Sequence, residues 1–421
     1  MDNRIYLHID MNSYFASVEQ QANPFLRGKP IAITGKHSDD PEQTRSVVTT
    51  ASIEAKRLGV KTAMSTWQAK RICPSLILYP GDPEKYADIT HRFNAIFQEF
   101  THNVHQFSVD ESFLDVTEQA KDSLGALYIA QTIRERLKEE YGAWITASIG
   151  IGPTKLMAKL AGESVKPNGL TIVYPDELLS FIDTRPLEDL CGIGPKMHQR
   201  LNELGLFTFK DIRACDPTYL QETFNSYGIW LYESAHGKDS SAILSSLEKS
   251  VFTTNSSSTY APPKSVGHSY TLPHDTHDPL EIKRYLLALS DNVAWRLRRD
   301  GLLARRVKLT LRYSDFTYTS QQKLFQEPLA DGYKIFQNAW SILKQIYCAE
   351  ESVRLVGVSV SELFQGSEQQ PLFLEDRKRS ALTKALDTIQ RRYGSSSWTR
   401  ATLLHTKLKN RSSGFHFDHE Q

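Results

Sequence analysis

Three acidic residues have the side-chain type and the sequence context of ligands for hard divalent cations. Asp10 ends an apolar, strand-like run over residues 5–9, and Asp110 and Glu111 are adjacent within an apolar stretch over residues 107–116. Mg²⁺ prefers oxygen ligands and needs few protein carboxylates when substrate phosphates complete its shell. Two such ions about 4 Å apart can clamp an in-line phosphoryl displacement. The three acids therefore predict a site for phosphoryl transfer that holds two Mg²⁺ ions.

The same acids also have an ordinary structural interpretation. Asp10 can cap the helix that follows it, and an acidic pair can simply solvate a hairpin turn. Under the metal hypothesis, the backbone carbonyl group of Met11 is placed to complete a ligand shell. The surrounding sequence has to decide between the two interpretations.

The pattern of apolar residues predicts the elements that position these acids. Residues 5–9 are predicted to form a buried strand, residues 107–116 a strand–turn–strand unit, and residues 144–151 a further strand. Apolar residues at helical spacing predict an amphipathic helix over residues 123–141. Residues 12–103 are predicted to be mixed and mostly helical. This order favours an antiparallel sheet backed by helices.

Composition places the chain among globular proteins of several domains. Its 421 residues are too many for one ordinary core, and its 40% hydrophobic and 24% charged residues are typical of a globular chain. No apolar stretch is long enough to predict a membrane span. The four cysteines lie far apart without zinc or redox spacing, which predicts free thiols and a cytoplasmic location. The net charge of +1 decides nothing about nucleic acid.

Three segments together resemble the motifs of Y-family translesion DNA polymerases, in the branch that contains UmuC and DinB. Residues 7–19 (LHIDMNSYFASVE) are similar to the opening strand–helix motif, and residues 108–112 (SVDES) to the catalytic hairpin. Residues 148–155 (SIGIGPTK), 158–161 (AKLA) and 166–169 (KPNG) resemble a third segment. The order and spacing hold over about residues 4–362, and the C-terminal extension is more similar to that of UmuC.

The resemblance implies an α+β, multidomain right-hand polymerase with a ferredoxin-like palm, small fingers, a helical thumb with a helix–hairpin–helix, and an α/β little finger. The expected bounds are a palm at 1–10 and 78–166, fingers at 11–77, a thumb at 167–240, a linker at 241–261, a little finger at 262–362, and a C-terminal extension at 363–421. We expect the chain to be a monomer.

The resemblance also assigns roles around the acids. Asp10, Asp110 and Glu111 would be the catalytic metal ligands, and Phe15 lies where the family has its steric gate, with Tyr14 beside it. An aromatic ring under the sugar leaves no room for the 2′-hydroxyl group that distinguishes ribonucleotides from deoxynucleotides. Ordinary core packing is the alternative role for both aromatic residues.

The expected triphosphate site departs from the family pattern. The family uses Tyr-x-x-Arg and a later Lys. Here Ile53 replaces the Tyr and Lys56 replaces the Arg, while Lys166 matches the later Lys. Ile53 cannot donate a hydrogen bond, and Lys56 keeps the charge but loses the bidentate fork of Arg. Thr50 and Arg57 are the expected compensating residues.

Further segments predict contacts with the template and the DNA backbone. Ala63 lies where the family keeps a small residue over the templating base, although an inconsequential alanine at a helix start is the alternative. The loop with Gly192, Gly194 and Lys196 resembles a helix–hairpin–helix, whose backbone N–H groups approach a phosphate. An ordinary loop joining two helices is the alternative.

Basic residues cluster between residues 295 and 312, and part of the cluster lies on one predicted strand. Alternation places Arg306, Lys308 and Arg312 on one face, a pattern that suits a phosphate backbone, or alternatively a solvated sheet face. Near the C-terminus, Gln369, Leu372 and Phe373 resemble the Gln-x-x-Leu-Phe peptide that inserts into a sliding clamp, although so short a motif also occurs by chance. A basic helix of unknown role is predicted over residues 377–394.

The resulting prediction is a DNA-directed DNA polymerase of low fidelity that copies damaged templates, with primer–template DNA, dNTPs and the sliding clamp as partners and no membrane association. A catalytically silent family member acting as a clamp-bound adaptor is the first alternative. Such adaptors lose the three acids, which this chain retains. A palm-domain nucleotide cyclase shares the metal chemistry, but it has no need of a helix–hairpin–helix, a basic little finger or a clamp peptide.

Overall fold

The computed structural model describes residues 4–35, 45–238, 263–366, 374–394, 397–404 and 406. The chain divides into two compact units, of which the first contains residues 4–35 and 46–238 and the second contains Arg45 and the described residues from 263 onward. The expected linker and the peptide with Gln369, Leu372 and Phe373 lie outside the described residues. None of the helices among these residues combines the length and the hydrophobicity of a membrane span.

The first unit alternates short strands with helices. Its strands are β1 (Tyr6–Met11), β2 (Ile31–Thr34), β3 (Val48–Ala51), β4 (Ile77–Pro80), β5 (Val104–Gln106), β6 (Glu111–Asp115), β7 (Ala147–Gly152) and β8 (Leu170–Ile172). Its helices are α1 (Tyr14–Ala22), α2 (Ile53–Arg57), α3 (Thr66–Ile72), α4 (Pro83–Phe100), α5 (Thr117–Ala120), α6 (Ser123–Tyr141), α7 (Lys155–Ser164), α8 (Leu178–Asp183), α9 (Pro195–Glu203), α10 (Phe209–Ala214), α11 (Pro217–Phe224) and α12 (Ser226–Ala235).

A five-stranded sheet with the order β5-β6-β1-β7-β8 forms the centre of the first unit. Strand β1 pairs antiparallel with both β6 and β7, as the antiparallel prediction requires, and β8 runs parallel to β7. Alternation along β1 sends Leu7 and Ile9 into the core cluster that also contains residues of α4 and α6. The opposite face of β1 carries His8 and Asp10, and α7 packs against β1 and β7.

Helix α7 comes close to the sheet because glycines stand at the contact. A Cβ atom on Gly150 would lie 2.0 Å from the carbonyl oxygen of Ala158 and 2.1 Å from the backbone nitrogen of Gly162. A Cβ atom on Gly162 would lie 2.9 Å from Nδ1 of His8. Any side chain at these positions would push the helix away, so the two glycines fix the depth at which α7 lies.

Residues 12–103 contain more strand than the mostly helical prediction indicated. A second sheet with the order β3-β2-β4 packs a small core of its own against α2 and α3. Each of its strands has four residues, and β2 is buried throughout its length. Such short strands carry no polar–apolar alternation over several residues, which is why the sequence pattern did not reveal them.

The remaining helices of the first unit, α8 to α12, enclose a separate apolar cluster. Leu187, Leu201, Phe209 and Trp230 are among its buried members. The predicted amphipathic helix at 123–141 is α6, with the same bounds, and Asp122 caps it by accepting a hydrogen bond from the Gly125 backbone.

The second unit is a four-stranded antiparallel sheet with helices on one side. Its elements are β9 (Ser265–Thr276), α13 (Pro279–Arg299), β10 (Leu302–Tyr313), β11 (Tyr318–Leu329), α14 (Gly332–Ile346), β12 (Val353–Gln365) and α15 (Leu374–Tyr393). The strand order is β11-β10-β12-β9. The predicted basic helix is α15, which is held to α13 by a bidentate ion pair between Asp387 and Arg298. The predicted α+β class is confirmed.

Candidate active site

The backbone ladder of the central sheet brings the first acid beside the third. Asp10 is the register partner of Glu111 in the antiparallel pair β1–β6. Directly opposite residues of neighbouring strands have Cβ atoms about 5 Å apart and point to the same face. The N–H group of Met11 donates a 2.9 Å hydrogen bond to the carbonyl oxygen of Asp110, which ties the second acid to the end of β1. The three acids predicted to meet are therefore neighbours.

A tight turn before β6 presents Asp110. The backbone N–H groups of Phe107 and Ser108 donate to the carbonyl oxygen of Glu111. The Ser108 hydroxyl accepts from the N–H of Glu111 at 3.0 Å and donates to Oδ1 of Asp110 at 2.6 Å. Ser108 thus closes the turn and orients the carboxylate of Asp110, a role that sequence reasoning had not assigned to it.

The carboxylates fit a divalent cation. Asp10, Glu111 and Glu163 each offer an oxygen, and the three oxygens lie within 4.8 Å of one another. Oxygen donors of this number and spacing are what Mg²⁺ and other hard cations require. Asp110 does not belong to this group but lies at the adjoining turn. Glu163, on α7, was not predicted.

Two lysines neutralise these acids in the structure. Nζ of Lys166 lies 2.7 Å from Oδ2 of Asp10. Nζ of Lys159 lies 2.6 Å from Oε2 of Glu111 and 3.1 Å from Oε1 of Glu163. Lys159 is buried and Lys166 is partly exposed. Each of the three carboxylates of the cluster is therefore in contact with a lysine.

The environment separates the pKa values of Asp110 and Glu111. Burial raises the pKa of Asp110 to about 6, and the negative charges of Asp10 and Glu111 add to this, while the hydrogen bond from Ser108 opposes it. Burial also favours the neutral form of Glu111. There, however, a hydrogen bond from His8 and the charge of Lys159 prevail and lower the pKa to about 2.

His8 lies beneath the site. Its Nε2 is 3.4 Å from Oε2 of Glu111, and the ring is fully buried against Phe113, with ring centroids 4.8 Å apart. Burial lowers the pKa of His8, so the imidazole is neutral near pH 7. With Nε2 protonated, it donates to Glu111 and leaves Nδ1 facing Gly162. Sequence reasoning included His8 in a motif without giving it a function.

Both expected gate aromatics are buried in the core cluster of the first unit, with 2% of Tyr14 and 4% of Phe15 exposed. Phe15 stacks on Tyr86, with ring centroids 4.4 Å apart and an interplanar angle of 14°. Tyr14 is buried, and its hydroxyl donates to the carbonyl oxygen of Tyr86 at 2.7 Å and contacts the Thr90 hydroxyl. Both rings thus take part in core packing, and Tyr14 supports the position of Phe15, the two ring centroids being 5.3 Å apart.

Lys56 lies within electrostatic reach of the acids. Desolvation and the positive charge of Lys166 lower the pKa of Lys56, and the charges of Asp10 and Asp110 act in the opposite direction. Arg57 is exposed at the last position of α2. Of the residues expected to bind triphosphate, Lys56 and Lys166 thus share the electrostatic environment of the acids.

Thr50, the other expected triphosphate residue, is half-buried on β3, in register with Ile33. Ala63 lies in the loop between α2 and α3 with a backbone φ of 68°, and α3 starts three residues later. Ala63 is therefore an exposed loop residue rather than part of a helix start.

The loop predicted to be a helix–hairpin–helix precedes α9. Gly192 has a φ of +116°, and a Cβ atom there would lie 2.8 Å from Cη2 of Trp230, so both the backbone conformation and the space require glycine. The Tyr227 hydroxyl donates to the carbonyl oxygen of Gly192 at 2.6 Å. Gly194 is the N-cap of α9, and Lys196 is exposed in its first turn.

The predicted alternation of β10 is observed in the second unit. Val307, Leu309 and Leu311 are fully buried, while Lys308 is exposed between them. Arg306 pairs with Glu362, the Nε–Oε1 distance being 3.0 Å. The guanidinium group of Arg312 lies over Phe316 and Tyr318, 4.3 and 5.0 Å from the ring centroids. The outer face of β10 is thus basic.

Three family models match the chain. The impB/mucB/samB family model matches residues 9–163, the model of its C-terminal domain matches residues 263–372, and the IMS family HHH motif matches residues 175–206. The first covers all three acids, and the last covers the loop at Gly192. The order of the models along the chain is the order that the resemblance implied.

Relatives and solved structures agree with these matches. The chain is 37% identical over 362 residues to the DNA polymerase IV of Lactococcus lactis subsp. cremoris (strain SK11), covering 85% of this chain and 94% of the relative. It is 32% identical over 413 residues to the DNA polymerase IV of Desulfatibacillum aliphaticivorans, covering 96% and 98%.

Two solved structures extend the likeness to the fold. One is titled "Y-family DNA polymerase chimera Dbh-Dpo4(243-245)-Dbh" and has a TM-score of 0.72 at 25% sequence identity. The match covers 86% of this chain and 100% of that chain. Another, an "Insertion ternary complex of Dbh DNA polymerase", has a TM-score of 0.54 at the same identity and coverage. The chain therefore belongs to the impB/mucB/samB family of Y-family translesion DNA polymerases.

Proposed function

We propose that the chain joins the 3′-hydroxyl group of a primer to the α-phosphate of a dNTP at a pair of Mg²⁺ ions held by Asp10, Asp110 and Glu111, with the carbonyl group of Met11 as a further ligand. As a family member, the chain is a DNA-directed DNA polymerase of low fidelity. The observation that carries the metal assignment is the register of β1 and β6, which aligns Asp10 with Glu111 next to the turn of Asp110.

The metal ions, when bound, would lower the pKa of the primer hydroxyl and neutralise the leaving diphosphate. The protein supplies a fixed frame for this chemistry. The carboxylates at the ends of β1 and β6 are set by backbone hydrogen bonds, and Ser108 orients the acid at the turn. Positioned charge of this kind needs no rearrangement during the reaction and therefore stabilises the transition state.

The nucleotide would lie with its triphosphate toward the lysines. Lys166 and Lys56 supply positive charge near the acids, and Thr50 and Arg57 are further candidate contacts. Lys166 must release Asp10 when a metal arrives, which frees its ammonium group for the phosphates. Because Lys56 offers a point charge instead of a bidentate fork, we expect a weaker grip on the triphosphate than an arginine would give.

Sugar and template selection would come from two other positions. The ring of Phe15, held by stacking on Tyr86, would exclude a 2′-hydroxyl group. Ala63 would leave room above the templating base, so bulky or damaged bases are tolerated. A roomy site cannot use close steric fit to reject mismatches, which accounts for low fidelity.

Primer extension on an undamaged and a lesion-bearing template tests the metal assignment. Asp110→Ala should lower incorporation at least about a thousandfold, since it removes charge stabilisation where negative charge develops. Asp88→Ala is the matched control, because its carboxylate is 61% exposed in an i,i+4 ion pair on α4. Incorporation by Asp110→Ala at the rate of the control would refute the assignment.

DNA and the sliding clamp are the proposed macromolecular partners of a monomer. The DNA backbone would contact the loop of Gly192, Gly194 and Lys196 and the basic face of β10, with Arg306, Lys308 and Arg312. Four free cysteines are consistent with the proposed cytoplasmic location. Arg306 is paired with Glu362 in this structure. Its guanidinium group could therefore contact a DNA phosphate only after this ion pair breaks.

The clamp proposal rests on the peptide with Gln369, Leu372 and Phe373, which precedes α15 directly. Deleting Leu372 and Phe373 should abolish retention of the chain on clamp-coated beads, because both apolar side chains would fill the groove. Leu374→Ala is the control, since this neighbouring apolar residue is 67% exposed. Undiminished retention of the deletion variant would end the clamp proposal.

A further inference from the structure

Lys159 contacts two acids at once from a buried position. It lies on α7 with a side chain only 7% exposed, 2.6 Å from Glu111 and 3.1 Å from Glu163. Its ammonium group also lies 5.3 Å from the ring centroid of Phe107. A lysine this deeply buried loses its hydration and must be compensated by partners. The partners here are a proposed metal ligand and a second carboxylate one helical turn along α7.

A divalent cation at Glu111 would compete with this lysine. The oxygens of Asp10, Glu111 and Glu163 lie within 4.8 Å of one another, so a cation bound by Asp10 and Glu111 takes over charge that Lys159 now supplies. An ammonium ion and a divalent cation on one carboxylate group repel each other, and more strongly where the dielectric constant is low. The contact between Lys159 and Glu111 must therefore lengthen when the metal enters.

Glu163 gives the displaced ammonium group a partner that is already in place. It is the i+4 neighbour of Lys159 on the same helix, so a rotation of the side chain is enough, and the helix itself does not move. Glu163 is also the more exposed of the two carboxylates, at 35% against 17% for Glu111. Displacement thus moves the ammonium group of Lys159 toward solvent, which lowers the free-energy cost of breaking its contact with Glu111.

We propose that Lys159 holds the place of a divalent cation at Glu111 in the metal-free protein, and that Glu163 receives its charge when the cation binds. Both are positioning residues for the metal ligand, and the proposal rests on the proposed function of Asp10, Asp110 and Glu111. The close packing of α7 at Gly150 and Gly162 holds Lys159 and Glu163 at this depth.

The proposal predicts opposite effects from the two residues. Glu163→Gln removes the receiving charge, so Lys159 stays on Glu111 and metal binding weakens on the order of tenfold, as for coupled charges in contact. Lys159→Met removes the competitor, so metal binding tightens severalfold. In the double variant Glu163 has no lysine to receive, and the affinity should equal that of Lys159→Met alone.

Mn²⁺ titration followed by electron paramagnetic resonance measures this binding without turnover. The sample is the full chain with primer–template DNA ending in a dideoxynucleotide and the next dNTP. Lys159→Arg keeps the charge and should retain the parental affinity, and circular dichroism confirms that each variant folds. Asp88→Asn, in the exposed pair with Arg92, is the control with no effect.

Each of the other possible results contradicts either this inference or the metal assignment on which it rests. Weaker binding in both Glu163→Gln and Lys159→Met would mean that the pair only supports the fold. Weaker binding from Glu163→Gln also in the double variant would make Glu163 a metal ligand and not a receiver. If Asp110→Asn loses Mn²⁺ while the α7 variants match the parent, only this inference fails. If Asp110→Asn keeps parental binding, the metal assignment itself fails.

Discussion

Asp110 is predicted to destabilise the metal-free protein, so that Asp110→Asn gains stability while losing activity. Burial raises the pKa of this carboxyl group from 3.8 to about 6. Each unit of pKa corresponds to about 1.4 kcal/mol, so the ionised group costs the folded state about 3 kcal/mol above pH 6. Asparagine has the shape of the protonated acid and can still accept the Ser108 hydrogen bond, and therefore avoids this cost.

The pH dependence follows from the direction of the shift. Because the pKa is raised on folding, the folded state binds the proton more tightly, and the stabilisation that the proton gives is complete below pH 3.8 and lost as the pH rises through 6. The advantage of Asp110→Asn should therefore be about 3 kcal/mol at pH 8, about half of that at pH 5, and below about 1 kcal/mol at pH 4.

Urea unfolding in EDTA, followed by circular dichroism at pH 8, 5 and 4, measures this difference. The midpoint of the first unit's transition should move upward for Asp110→Asn at pH 8 and converge with the parent at pH 4. Asp88→Asn, with its carboxylate largely in solvent, should show no such pH-dependent gain. A loss of stability at pH 8, or a gain of equal size at every pH, would refute the reasoning.

Three further substitutions have defined outcomes. Phe15→Ala should raise the ribonucleotide to deoxynucleotide incorporation ratio about tenfold or more in single-nucleotide assays, and an unchanged ratio would count against the gate. Lys56→Arg should lower the KM for dNTP with little change in kcat, because it restores the bidentate fork; an unaltered KM would place Lys56 off the triphosphate. Gly192→Ala should cost about 1–3 kcal/mol through the strained φ and the contact with Trp230, whereas Gly194→Ala, with open space around it, should be far milder. Thermal unfolding compares the two, and equal losses would contradict the packing argument.

The sequence was sufficient for the elements that carry the three acids. A buried strand ending in an acid is a local pattern, and it was found as β1. Of the unit predicted over residues 107–116, the turn and the second strand, β6, were found, but the first strand, β5, lies ahead of that range at Val104–Gln106. The helix at 123–141 was equally readable, because its apolar face repeats over five turns. Alternation on β10 also gave the correct basic face.

The contacts of Lys159 with Glu111 and Glu163 could not be predicted from the sequence, because they depend on how close α7 lies to the sheet. Lys159 and Glu163 form an unremarkable i,i+4 pair by sequence, of the kind that usually lies in solvent. Only the contact between Gly150 and Gly162 brings that face of α7 over Glu111. The function of His8 is hidden for the same reason, since its partner lies 103 positions away in the chain.

Asp10 and Glu111 are paired across two hydrogen-bonded strands, so a molecule is active only when these strands are correctly aligned. A slip of one residue between β1 and β6 would turn one acid to the other side of the sheet, because successive residues of a strand alternate between faces. Partly misaligned molecules would then contribute nothing to turnover. The specific activity of a preparation should consequently count the molecules whose strands are correctly aligned, even where spectroscopy finds the same secondary structure content in all of them.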